Sequence, residues 1–100
     1  MAFKVKIRDI ETGKEIEAAA LRSTLWDALD YKDQLPETQS KDQRADYAWA
    51  FFAARRAGIL AKIGIDDDIQ VDDAIADMAD RFDVSFEEVA SAPLEGKTAR

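Results

Sequence analysis

Residues 41–57 read as one helix with too many apolar faces for an ordinary surface helix. Ser40 followed by Gln43 has the spacing of a capping box, which opens the helix, and Gly58 is where it stops or kinks. At about 100° per residue, Ala45, Ala48, Trp49 and Phe52 form one stripe, extended by Ile59 and Ile63 if the helix continues. Tyr47, Phe51 and Ala54 form a second stripe on nearly the opposite side. In a chain of 100 residues such a helix has two solutions. Either it is central, with a hairpin on one side and other helices on the other, or one of its faces waits for a partner.

The rest of the chain supplies material for the first solution. Phe3, Val5 and Ile7 alternate with Lys4, Lys6 and Arg8, the period of two of a strand buried on one face. After Thr12-Gly13 the alternation resumes as Ile16, Ala18 and Ala20 against Glu15 and Glu17, so the two runs predict a β-hairpin whose glutamates face the lysines. Ser23-Thr24 can cap a helix with Leu25, Trp26 and Leu29 on its apolar side, and Pro36 bounds it. Val71, Ile75, Met78 and Phe82 follow one helical stripe, with Asp73, Asp77 and Asp80 on the reverse. Ser85 and Glu88 form a second capping box, which predicts a short helix ended by Pro93. The expected fold is α+β, an N-terminal β-hairpin packed on a small bundle of three to four helices. Residues 1–92 make a single globular domain and residues 93–100 a flexible C-terminal tail.

Charge and composition narrow the chemistry. The chain carries 21 acidic and 14 basic side chains, a net charge of -7, which disfavours phosphate binding and hence nucleic acid as a partner. The imbalance is local: residues 1–62 hold 11 basic and 10 acidic side chains, and residues 63–100 hold 3 and 11. There is no cysteine and no histidine, so thiolate nucleophiles, cysteine zinc sites and the usual general base near neutral pH are missing. No apolar run approaches the roughly 20 residues of a membrane span, and the first residues have no apolar signal core, which reads as a cytoplasmic protein without a membrane partner.

The remaining motifs do not build a catalytic or metal site. Gly96-Lys97-Thr98 matches the end of a phosphate-binding loop, but Ser91 stands where the first glycine is needed and only two residues follow Thr98. Asp66, Asp68 and Gln70 imitate the first calcium ligands of an EF-hand, yet Val71 replaces the turn glycine and Asp77 the final glutamate. Acids along a solvated helix face also lack the differing environments that split carboxylate pKa values for acid–base work. The expectation is a non-catalytic protein with no cofactor and no metal.

The candidate site is therefore a partner surface made of Tyr47, Phe51, Ala54 and Arg55, because aromatic stripes concentrate binding energy at interface centres. If Tyr47 and Phe51 are covered, the role passes to the aromatics of the preceding helix. Self-association is left open.

The segment Tyr47-Ala48-Trp49-Ala50-Phe51-Phe52-Ala53-Ala54-Arg55-Arg56-Ala57-Gly58, followed by an acidic stretch and a helix from Val71, resembles the tail assembly chaperones of long-tailed bacteriophages and prophages. The resemblance spans roughly residues 24–90 and rests on helix order, the aromatic helix and small acidic size. It implies a protein that binds the tape measure protein, or other phage tail proteins, in the bacterial host cytoplasm and is absent from the mature virion. The family is often made in a short form and a frameshifted longer one. Two other readings stay beside it. An acidic DNA mimic or regulatory inhibitor would use the acids between Asp66 and Glu88 to bind a basic protein, and a small carboxylate-metal enzyme would be stabilised by magnesium or calcium.

Overall fold

The computed structural model describes residues 2–37, 40–66 and 68–89. In chain order they form strands β1 (Ala2–Asp9) and β2 (Glu15–Ala20), helices α1 (Arg22–Asp33) and α2 (Lys41–Ala57), a 3₁₀ turn (Leu60–Ile63), helix α3 (Val71–Arg81) and strand β3 (Phe82–Val89). The sheet is antiparallel with order β2-β1-β3, so the strand that closes it comes from the far end of the chain. The architecture is α+β, as the patterning predicts, with α2 packed on the sheet and α1 and α3 packed on α2. The expected tail, 93–100, lies outside the described residues.

The hairpin forms where alternation predicts it. Lys6 pairs with Glu17 and Arg8 with Glu15 across β1 and β2. The turn is tied by the Asp9 carboxylate, which accepts hydrogen bonds from the Glu11 and Thr12 amides at 2.8 and 3.1 Å. Gly13 takes the positive φ of 76° that the reversal requires.

The predicted helix at Ser85–Pro93 is corrected: residues 82–89 are β3. Phe82, Val84 and Phe86 alternate with Asp83, Ser85 and Glu87, and β1 offers an unpaired edge in matching register, Val5 opposite Phe86 and Ile7 opposite Val84. A capping box is a local signal, whereas eight residues of ladder pairing with three apolar side chains on the inner face are long-range and larger. For the same reason Phe82 is not the last residue of the α3 stripe. Its backbone is already extended, with φ -135° and ψ 149°.

Helix α2 is the centre of the molecule, packed on all three strands, on α1 and on α3. Tyr47, Ala48 and the whole run Ala50–Ala54 are buried, leaving almost no free side along its middle. The many alanines make this feasible, since small side chains let helices and sheet approach from several directions. Trp49 faces the sheet but is half-buried, where full burial is expected; it stacks on Phe86 at 4.4 Å and meets the Phe3 ring edge-on at 5.8 Å. The helix ends as expected at Gly58, whose φ of 73° sends the chain away. Further on, Arg81 holds the 3₁₀ turn against α3, donating to the carbonyl oxygens of Ile63 and Gly64 and to Asp77.

Candidate functional site

The structure keeps the four predicted site residues together on α2 but buries three of them. Phe51 is 2% exposed, Tyr47 9% and Ala54 is fully buried, so the second apolar stripe is core and the expected surface patch is corrected. The Tyr47 hydroxyl donates to the Phe82 carbonyl oxygen at 2.8 Å, fastening α2 to the first residue of β3. Phe51 packs edge-on against Phe52 at 5.4 Å. Only Arg55 is exposed, its guanidinium 5.3 and 5.0 Å from the two ring centres, where it covers the end of this cluster. The physical reason is the central position of α2: the sheet takes the Trp49 side, and α1 and α3 take the rest.

Covering α2 turns α1 inside out relative to expectation. The buried side of α1 is Thr24, Ala28 and Tyr31, at i, i+4 and i+7, not the side of Leu25, Trp26 and Leu29. Thr24 is bonded on this buried side. It lies within the first turn of a helix that starts at Arg22, one residue before the expected Ser23-Thr24 cap. Its hydroxyl donates to the Leu21 carbonyl oxygen at 2.6 Å and accepts from the Trp49 indole N–H at 3.2 Å. With that hydroxyl directed at α2, the larger apolar residues point outward.

The result is an apolar outer face. Trp26 is 60% exposed, Leu29 45% and Leu21 42%, with Leu25 half-buried beside them. Three of the five large apolar side chains exposed among the described residues therefore sit on or next to one 12-residue helix. Exposed tryptophan carries the most apolar area a residue can offer, and clustering it with leucines marks interaction surfaces more than scattered residues do. The sequence signal for this face was Thr24-x-x-x-Ala28-x-x-Tyr31, a helical stripe of two small residues and one tyrosine, which competes with the more apolar side.

Elsewhere among the described residues the exposed large apolar side chains are Ile10 and Val89, which lie apart from this face. On the outer face of the sheet Lys4 lies 3.3 Å from Glu17, and Lys6 lies 3.3 Å from Glu87. A shallow depression of about 600 Å³ runs between the hairpin turn and the 3₁₀ turn, but its Arg81 is already bonded to Asp77 and to two carbonyl oxygens. Asp66 caps its own turn, accepting from the Asp68 amide at 3.1 Å. Among the described residues no group of three acids is placed to hold a metal ion, and no helix is long and apolar enough to cross a membrane. Comparisons with protein-family models, with curated proteins and with solved structures gave no significant match to this chain.

Proposed function

We propose that this chain is a non-catalytic protein-binding module that uses the outward face of α1, Leu21, Trp26 and Leu29, to hold an apolar helical segment of another protein. The observation that carries the reading is Trp26 at 60% exposure beside Leu29 on a helix whose opposite side is core. Large exposed aromatics flanked by leucine are the usual anchors of helix-in-groove contacts. The partner is the tape measure protein, or another phage tail protein, and the site of action is the bacterial cytoplasm before the tail is complete. This assignment draws on the resemblance of residues 24–90 to tail assembly chaperones. A long helix-rich client needs its apolar faces shielded until the tail tube encloses it, and a small acidic module supplies apolar contact with solubility.

The test is co-purification with the tape measure protein encoded nearest its gene, comparing the natural chain with Trp26→Ser/Leu29→Ser. Both positions are exposed, so the double variant should melt as cooperatively as the natural chain and lose the client. Retained binding, or no tape measure gene nearby, ends the reading. The contact should also persist at raised salt, because exposed charges are screened beyond about 8 Å at physiological ionic strength while apolar burial is not. Collapse at moderate salt would instead favour the acidic mimic.

A further inference from the structure

The outer stripe of α1 has a polarity of its own. Arg22, Trp26, Leu29 and Asp33 follow one another at intervals of four, three and four residues, which places all four on one line of the helix surface, and all four are exposed. Read backwards, the spacing is the same. Among the described residues neither Arg22 nor Asp33 forms an ion pair or a side-chain hydrogen bond; Asp33 acts only by charge on the neighbouring Lys32, which is itself bonded to Asp42 at 2.7 Å.

Both charges also sit at the wrong ends for the helix that carries them. A helix N-terminus is the positive end of the backbone dipole and a C-terminus the negative end, so an arginine at the first position and an aspartate at the last are each unfavourable. Helix α2 also begins with a base, Lys41, but that one is paired with Glu37 at 3.0 Å, whereas Arg22 has no such ion pair. An antiparallel copy of the same helix removes both conflicts at once, because it lays the aspartate of one chain at the arginine end of the other.

We propose that α1 closes on a second copy of this chain in a two-fold antiparallel pair. Arg22 of each copy meets Asp33 of the other, and Trp26 of each packs on Leu29 of the other, about an axis passing between residues 27 and 28. Such a pairing is isologous: one patch serves both subunits and the assembly stops at two. A single pair of helices each about 18 Å long buries less than the roughly 1,200 Å² of a stable complex. The dimer is therefore weak and concentration-dependent. Asp30, on one border of the stripe, weakens it further, since antiparallel helices bring like borders together. Where the face also serves a client, self-pairing shields Trp26 until the client displaces the second copy. That regulatory consequence rests on the proposed function, while the pairing does not.

The experiment is sedimentation equilibrium over a range of concentrations on the natural chain, on Arg22→Asp, on Asp33→Arg, and on an equimolar mixture of the two variants. The natural chain should show a monomer–dimer equilibrium. Each single variant sets like charges opposite each other twice, and should weaken the dimer by about tenfold, a loss of about 1.4 kcal/mol. The mixture should recover a dimer, because the Arg22→Asp chain is acidic at both ends of the stripe and the Asp33→Arg chain is basic at both. Each single variant also relieves one dipole conflict, so the monomers should melt at or above the natural temperature, which separates lost pairing from lost folding. A natural chain that stays monomeric at the highest concentration assigns the face to a different protein and overturns the proposal. So does a mixture that fails to pair, or a dimer that persists in Trp26→Ser/Leu29→Ser, which would place the contact elsewhere. A dimer that forms as described while no client binds sinks the proposed function and leaves this inference standing.

Discussion

Tyr31 and Tyr47 are both 9% exposed, yet their hydroxyls have opposite fates. Tyr47 donates to the Phe82 carbonyl, and Tyr31 has no hydrogen-bond partner among the described residues, although Arg44 and Asp72 lie near it. Burial pushes both phenols above their ordinary range, so both are neutral donors at physiological pH. Removing a bonded hydroxyl leaves its acceptor unsatisfied at a cost of about 1–3 kcal/mol, while removing an unbonded one relieves a desolvation cost. Tyr47→Phe should therefore destabilise by about 1–3 kcal/mol, and Tyr31→Phe should be neutral or stabilising. Urea denaturation of the two variants measures the contrast, and equal losses would refute it.

At the scale of elements, the sheet keeps one face dry and one wet, and its wet face carries a pH signature. Lys6 holds the Glu87 carboxyl below the ordinary glutamate range, first by hydrogen bonding and then by charge, with help from Lys4. A carboxyl with a lowered folded pKa contributes stability at pH values above its ordinary 4.5, and that contribution is lost as pH falls through the folded value. The Lys6 ammonium is raised by the same pairing, so its share is present below 10.5 and is lost only as pH rises through its folded value. The expected profile is flat between these limits. Glu87→Gln should lower stability slightly at neutral pH and converge with the natural chain in acid. Chemical denaturation at pH 7 and in acid checks this, and a difference that grows on acidification would contradict the pairing. The effect is small because these side chains are well solvated.

At the scale of the molecule, β3 decides whether the rest can stay folded. It supplies Phe82 to the core, packs Val84 against it and stacks Phe86 on Trp49, a partner far back along the chain. Burying each such side chain stabilises by about 1.5–3 kcal/mol, and a domain of this size has only about 5–15 kcal/mol in hand. A chain ending at Arg81 should lack a cooperative thermal transition and the near-ultraviolet circular dichroism of packed aromatics. A sharp melt of that fragment would show that hairpin and helices form a self-sufficient unit.

Strand β1, the hairpin, α2 with its stop at Gly58, and the amphipathic α3 are all written in local periodicity, because alternation and helical stripes reflect the geometry of a few neighbouring residues. So was the alternative that a doubly apolar helix must be central or partnered. Tertiary structure alone chose between them, since covering Tyr47 and Phe51 depends on where distant elements land. It also made residues 82–89 a strand, because the free edge of β1 outweighs a capping box that only the nearest residues can sense. The rotation of α1 is also tertiary: Thr24 accepts from Trp49, 25 residues away, Ala28 and Tyr31 are buried beside it, and Trp26 is left on the outside. No reading of α1 by its own apolar spacing can find this, because the contacts that orient the helix lie on another element.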